Sequence, residues 1–225
     1  MNVSTPVIIL AGGFGTRLAR ISNGKPKSLI EVKGRPVLQH QIEMLKDKGF
    51  QDIRLSLHYR ADQIIEFCER RWPGEIQFVV EPQPLGTGGA IKFASQGIRV
   101  ELLVLNGDNL WSSIDFDRFL AQGANTLLSV YLDDARDFGL VHIEDGKVCQ
   151  FLEKPEGKTG GYVNSGLYLL KPEIIQHTPQ EVFMLELEVF PLLAAEGDLN
   201  VYIHDGYWID VGTEERLDRA NREWV

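Results

Sequence analysis

The stretch Leu10-Ala-Gly-Gly-Phe-Gly-Thr-Arg-Leu18 places three glycines and an arginine directly behind the apolar run Pro6-Val-Ile-Ile-Leu10. Glycine lets a chain turn with positive φ and lets a ligand approach the main chain closely, but it costs conformational entropy on folding. Gly12, Gly13 and Gly15 therefore need a reason. The exposed N–H groups of such a loop can form an anion nest, and Arg17 can add its planar fork to phosphate oxygens. Ten residues beyond stands Lys27, in Lys25-Pro-Lys-Ser-Leu29, where Pro26 keeps the local backbone extended so that the lysine projects. Together Arg17 and Lys27 would cover a polyphosphate from two directions. A tight surface turn and two solvated basic side chains are the competing readings at this level. Two other glycine-loop templates fit less well. A dinucleotide fingerprint wants a third glycine where Leu18 stands, and a P-loop wants Ser or Thr after Gly24-Lys25, where Pro26 stands.

The elements that must position these residues read as alternating strands and helices. Strand-like runs lie at 7–11, 53–57, 76–80, 100–105, 126–131 and 201–203, several of them continuously apolar as in a sheet buried on both faces. Leu38, Ile42 and Leu45 fall at helical spacing between Pro36 and Gly49, and a second helix is expected over 62–70. This order predicts right-handed βαβ units in a Rossmann-like α/β/α sandwich with a mostly parallel, twisted central sheet. Around 139–152 the pattern changes, because Glu144-Asp-Gly-Lys147 is a hairpin turn between short apolar runs, and 162–170 reads as another strand. A small antiparallel insertion on the same sheet, within one domain over 1–225, is the expectation. In such a sheet ligands sit beyond the carboxyl ends of the strands.

Composition narrows the classes. With 23 Lys+Arg against 32 Asp+Glu, the net charge is −9, and no stretch is rich in basic residues. Sequence-independent binding to a nucleic-acid backbone is therefore not expected, and an anionic ligand must be held by local devices. The amino terminus has no basic, long apolar leader, so a cytoplasmic chain without a membrane partner is expected. Cys68 and Cys149 stand 81 positions apart with no ligand pattern, as ordinary thiols do in a reducing compartment. Leu185, Leu187, Val189, Phe190, Leu192 and Leu193 are apolar enough for core packing or for an oligomer contact.

Several blocks in order resemble the sugar-1-phosphate nucleotidyltransferase family: LAGGFGTRL, Lys25-Pro-Lys27, Glu81-Pro-Gln-Pro-Leu-Gly-Thr-Gly-Gly89, Leu105-Asn-Gly-Asp108, Phe151-Leu-Glu-Lys-Pro155, Val163-Asn-Ser-Gly-Leu-Tyr168 and Trp208-Ile-Asp-Val-Gly-Thr213. Ser28 and Glu31 depart from prolines common in that family. The resemblance implies a nucleotide site made by Leu10, Ala11, Gly12, Gly13, Gly15, Thr16, Glu81, Pro84, Gly86 and Thr87. It implies phosphate handling by Arg17 and Lys27, Mg²⁺ on Asp108 and Asp210, and a sugar site of Asn106, Phe138, Gly139, Glu153, Lys154 and Asn164. The implied reaction is attack of a sugar 1-phosphate oxygen on the α-phosphorus of an NTP, with pyrophosphate leaving.

These residue types suit those tasks. Two carboxylates at a sheet edge can hold Mg²⁺ among phosphate and water oxygens, although Asn-Gly-Asp-Asn109 is also a good turn. Glu153 can accept from sugar hydroxyls and Lys154 can hold a phosphate, or the two form a surface ion pair. Asn164 can donate and accept toward a hydroxyl, or satisfy a neighbouring strand. Glu81 facing the N2 amino group of guanine would select GTP. The combined wording is closest to guanylyltransferases of D-glycero-α-D-manno-heptose 1-phosphate. An N-acetylmuramate 1-phosphate uridylyltransferase, a mannose 1-phosphate guanylyltransferase and a non-catalytic nucleotide-sugar sensor are the alternatives.

Overall fold

Val7, Ile8 and Ile9 are β-branched and completely buried, and a strand presents successive side chains to opposite faces, so these residues seed two cores at once. The computed structural model describes residues 3–15, 24–157 and 160–225. Strand β1 (Val7–Leu10) lies between β4 (Ile53–Leu57) and β6 (Leu102–Asn106), parallel to both. Outside β4 lies β5 (Ile76–Val80), also parallel. On the other side, β6 pairs antiparallel with β11 (Gly161–Leu170), β11 antiparallel with β8 (Thr126–Leu132), and β8 parallel with β12 (Asn200–Ile203). The hairpin β9 (Gly139–Glu144) and β10 (Lys147–Glu153) closes that end, turning at Glu144 and Lys147 as the sequence indicates. The nine-stranded order is β5-β4-β1-β6-β11-β8-β12-β10-β9, with β9 also touching β11. The antiparallel pairing expected around 139–152 thus extends inward to β11, against both β6 and β8.

Helices cover both faces. Val7 and Ile9 pack with Leu38, Ile42 and Leu45 of α1 (Val37–Asp47), Ile64 and Cys68 of α2 (Ala61–Arg71), and Phe116 and Phe119 of α4 (Phe116–Leu120). Ile8 packs on the other face with Ile91 and Ala94 of α3 (Gly86–Ala94), Ile175 of α5 (Pro172–Gln176), and Phe190, Leu193 and Ala194 of α6 (Phe190–Ala195). A π-helical turn, Leu185–Val189, leads into α6. Four of the six apolar residues noted there, Leu185, Val189, Phe190 and Leu193, are core, whereas Leu187 and Leu192 are exposed.

A third, smaller cluster matters most for the site. The two-stranded ribbon of β7 (Asn109–Trp111) and β13 (Trp208–Asp210) packs Leu110, Ile209 and Val211 against Val32, Val37 and Ala220 of α7 (Glu214–Glu223). Val32 comes from the short hairpin β2 (Glu31–Val32) and β3 (Arg35–Pro36) ahead of α1. Among the described residues, no helix is long and apolar enough to cross a membrane.

Phe190 is fully buried, with its ring 5.3 Å from that of Phe151 and 5.0 Å from that of Tyr168. Phe190→Ala is expected to cost about 3–5 kcal/mol. In denaturant unfolding the midpoint falls while the slope holds; a loss below 1 kcal/mol would mean that this core repacks. Burial pushes the Cys68 thiol up to about 12, whereas Cys149 is exposed. In the native state a thiol-disulfide reagent should label one cysteine quickly and the other only on unfolding. Two fast thiols would contradict the burial of Cys68.

Candidate active site

The glycine loop after β1 and the loop into α3 face each other across a pocket of about 310 Å³. The structure brings Leu10, Ala11, Gly12, Gly13, Lys27, Glu81, Pro84, Gly86, Thr87 and Asp108 together around it, and Asn106, expected in the sugar site, lines the same pocket. Phe138 and Asp210 line a neighbouring hollow of about 530 Å³. Gly139, Glu153, Lys154 and Asn164 line neither. Thr16 and Arg17 lie outside the described residues.

The glycines answer to different constraints. Gly12 runs against the end of β4, where a Cβ would come within 2.9 Å of the His58 amide nitrogen. Gly13 faces open space, and Gly15 has φ +60 beside Lys27. The second glycine group serves the protein itself. The N–H groups of Gly88 and Gly89 donate to the Phe183 carbonyl, and a side chain at Gly88 would overlap the Phe183 ring. Thr87 likewise turns inward: its hydroxyl donates to Glu186 at 2.5 Å and accepts from the Leu185 amide at 2.9 Å. Burial raises the Glu186 carboxyl above its ordinary range, opposed by the bond from Thr87. What reads in sequence as one loop is thus a short loop followed by a helix clamped to the 181–186 segment.

Glu81 is buried, and both its carboxylate oxygens are already engaged. Oε1 accepts from the Ser56 hydroxyl at 2.9 Å and Oε2 from the Leu85 amide at 3.2 Å. The carboxylate therefore pins the loop 82–85 to the end of β4.

The two aspartates are set side by side by the ribbon. Asp210 pairs with Asn109 across β13 and β7, and the Val211 amide donates to the Asp108 carbonyl at 2.9 Å. The turn carrying Asp108 is held from behind by Gln41 of α1, which is fully buried and whose amide nitrogen donates to the Asn106 and Asn109 carbonyls at 2.9 and 2.8 Å. Lys27 pairs with Asp108 through Oδ2, while Oδ1 accepts from Nδ2 of the Asn109 side chain at 3.1 Å. Arg216 donates to Oδ2 of Asp210 at 2.9 Å. Burial first, then the Asp108 charge, raises the Asp210 carboxyl, with Lys27 and Arg216 opposing.

Oδ1 of Asp210 is buried and has no hydrogen-bond partner among the described residues, a costly state for a carboxylate oxygen unless a cation or water meets it. Among the described residues no group of three or more His, Cys, Asp and Glu gathers for a metal. The donor set is two carboxylates, hard oxygen ligands of the kind that hold Mg²⁺ with substrate phosphates and waters. On this test the residues fit.

At the end of β10, Lys154 pairs with Glu153 at 2.5 Å and has φ +47, a left-handed conformation uncommon for a lysine. Gly139 stands opposite Glu153, where a Cβ would come within 2.5 Å of the Phe151 ring and 3.0 Å of the Glu153 carboxylate. Asn164 spends its amide within its own strand: Nδ2 donates to the Tyr168 hydroxyl at 2.9 Å, and Oδ1 accepts from the Gly166 amide at 2.9 Å. It holds the irregularity in β11 between Asn164 and Tyr168, where Gly166 comes close enough that a Cβ would meet the side chains of Asn106 and Asn109 at 2.8 and 2.6 Å. Sequence reasoning missed Gln41, Glu186 and Arg216, whose partners lie far along the chain. A polar residue on the buried stripe of α1, as Gln41 is, was the one available signal.

Residues 6–224 match the model of the family described as nucleotidyl transferase. The mannose-1-phosphate guanyltransferase of Saccharomyces cerevisiae is 34% identical over 220 residues, covering 91% of this chain, and a probable mannose-1-phosphate guanylyltransferase 1 of Oryza sativa subsp. japonica is 32% identical over 219. The chain spans 60% of the length of these relatives. The structure of HddC from Yersinia pseudotuberculosis complexed with GMP-PN superimposes with a TM-score of 0.85 at 35% identity, covering 98% of this chain and all of that one. A putative glucose-1-phosphate thymidylyltransferase from Bacillus anthracis, at 24% identity and a TM-score of 0.80, shares the fold. With its glycine loop, paired aspartates and nine-stranded sheet, the chain belongs to the nucleotidyl transferase family.

Proposed function

We propose that this chain transfers a nucleotidyl group from an NTP, GTP in first place, to a sugar 1-phosphate. An oxygen of the sugar phosphate attacks the α-phosphorus, the bond to the bridging oxygen of the β-phosphate breaks, and pyrophosphate leaves with that electron pair. The observation that carries this reading is the pair Asp108 and Asp210: Asp108 lines the glycine-lined pocket from the turn before β7, and the pairing of β13 with β7 sets Asp210 beside it at the edge of the neighbouring hollow.

Such a transfer asks for alignment and charge neutralisation rather than a covalent nucleophile. Leu10 to Gly13 bring bare backbone to the nucleotide, and the loop held by Glu81 forms the opposite wall. Lys27 lines the pocket and reaches Asp108, so its ammonium is placed to follow charge onto the phosphates. Arg17 is assigned the same task by the sequence resemblance. Asp108 and the free Oδ1 of Asp210 would hold Mg²⁺. When bound there, the ion supplies charge neutralisation on the phosphates. Glu153 and Lys154, at the end of β10, are assigned to the sugar 1-phosphate by the sequence resemblance.

Guanine is favoured because relatives bearing guanyltransferase names match along 91% of this chain, and the HddC structure, complexed with GMP-PN, matches end to end. D-glycero-α-D-manno-heptose 1-phosphate stands first as the sugar on the sequence resemblance. Mannose 1-phosphate is the second reading, supported by the names of the fungal and plant relatives. The two sugars share the manno ring, so a site that grips that ring's hydroxyls accepts both unless the C6 side is closed.

Pyrophosphate release should be measured with Mg²⁺, each of GTP, UTP, dTTP, CTP and ATP, and heptose, mannose, glucose and N-acetylmuramate 1-phosphates. Release is expected with GTP and a manno-configured acceptor. A signal with UTP and N-acetylmuramate 1-phosphate would move the assignment, and silence throughout would leave a binding protein. Asp108→Asn and Asp210→Asn should each lower turnover at least about a hundredfold without loss of fold; full activity in either would remove that carboxylate from the site.

Glu81→Gln gives a separate test of the loop. Because both carboxylate oxygens accept bonds from the protein, the KM for every NTP should rise together. A change confined to the preference for GTP over ATP would instead make Glu81 a reader of the base.

A further inference from the structure

Three arginines line the hollow beside Asp210, and they differ in what they hold. Arg136 pairs with Asp134 two residues away, and Arg219 pairs with Glu223 one helical turn on. Both contacts are local and exposed. Arg216 is mostly buried, at 16% side-chain exposure, and its contacts join distant parts of the chain. One arm of its guanidinium donates to Asp210, six positions back, and the other to Asp137, 79 positions back. Its plane lies over the Phe138 ring at 4.6 Å from the centroid. Phe138 packs edge-on against Trp208 at 5.1 Å, and the Trp208 indole N–H donates to the Ser165 carbonyl at 2.9 Å.

We infer that Arg216 is a positioning residue that locks the 133–138 loop to Asp210, so that the acceptor edge and the paired carboxylates move as one body. The loop runs directly into Gly139, opposite Glu153 in the β9–β10 hairpin, and the Phe138 carbonyl accepts from the Lys154 amide at 3.2 Å. A displacement of Phe138 is therefore passed to the backbone that carries Glu153 and Lys154. Only a planar fork with two arms and a stacking face makes these three contacts at once; a lysine, a point charge on a flexible stem, makes one. Arg216 is itself placed by the start of α7, where Thr213 accepts from its amide at 3.3 Å. The inference deepens the proposed reading and rests on it for the identity of the acceptor.

The test compares wild type with Arg216→Lys, Asp137→Asn and the double variant. Arg216→Lys is expected to raise the KM for the sugar 1-phosphate about tenfold while the KM for the NTP moves less than about twofold. Asp137→Asn removes the loop-side anchor without touching the carboxylates and should give the same acceptor defect. The double variant should be no worse than the stronger single one, because both changes break one connection. Equal effects on both KM values, an unchanged acceptor KM, or additive losses would overturn the assignment. Amide hydrogen exchange without substrates reads the lock directly: residues 133–138 should exchange faster in Arg216→Lys than in wild type, with the β1 and β6 amides unchanged. Unchanged exchange there would refute the lock. If wild type turns over no sugar 1-phosphate, the acceptor reading fails, and the exchange comparison still decides whether Arg216 holds the loop.

Discussion

Two carboxylates held side by side at one edge of a sheet repel each other, and much of the surrounding structure answers that repulsion. The register of β7 against β13 fixes Asp210 opposite Asn109, so the pair cannot relax by sliding apart. Burial and the Asp108 charge together raise the Asp210 carboxyl. Lys27 on one aspartate and Arg216 on the other offset part of this, each taking a single oxygen. What remains is a concentration of negative potential with a buried oxygen, Oδ1 of Asp210, that has no partner among the described residues. A fold that keeps such an arrangement gives up stability that apolar packing would provide, and under the proposed function a divalent cation and a polyphosphate would together cancel the charge.

The backbone around the pair is correspondingly overdetermined. Gln41 reaches from the buried side of α1 to clasp the carbonyls on either side of Asp108. The irregularity in β11, held by Asn164, lets Gly166 close under Asn106 and Asn109. On the opposite wall, Glu81 and Ser56 fix the loop into α3, and Thr87 and Glu186 fix the start of that helix to the π-helical turn. These bonds lie in partly or fully buried surroundings, where a polar group without its partner costs more than it would in water. The pocket walls are thereby held by the protein's own bonds, so that under the proposed function little ordering would remain for a nucleotide to impose.

How much of this was legible in the sequence follows from what each feature depends on. The strands through Ile9 and Leu105 read correctly because a strand covered on both faces is continuously apolar, and the strand through Leu55 because Arg54 and Ser56 alternate with apolar residues. Helices α1 and α2 announced themselves by spacing and stop signals, and the structure extends the second by one residue at each end. Helix α3 did not, because it opens on Gly-Thr-Gly-Gly, poor helix formers that persist there for close packing on Phe183. Helix α7 was equally silent, since Ala220 is its one buried residue and no apolar stripe marks it. Within the site, residues whose chemistry is their own, such as Lys27, Asp108 and Asp210, were found from the motifs that carry them. Those whose work is defined by a distant partner were not: Glu186 meets Thr87 across 99 positions. Asn164 shows the converse, a residue with the right chemistry for a sugar whose amide is spent on its own strand.

The end of β10 raises the same question of constraint in the backbone. Lys154 holds φ +47, a conformation that costs a non-glycine residue on the order of 1–3 kcal/mol and lasts only where neighbouring contacts impose it. Two such contacts are visible: its amide donates to the Phe138 carbonyl, and its ammonium pairs with Glu153. The first fixes the backbone and the second aims the side chain, so the turn that ends β10 is set from the loop before β9 rather than by its own sequence. Phe138 is in turn pressed between Trp208 and the Arg216 guanidinium, one residue from each side of the Asp210 turn. Strain at Lys154 is thus borne by the same structure that places Asp210. A transfer of the proposed kind would depend on in-line alignment, where errors of about 1 Å cost about a hundredfold in rate, and a single connected framework for the β9–β10 hairpin and the carboxylates is the economical way to keep such an error small.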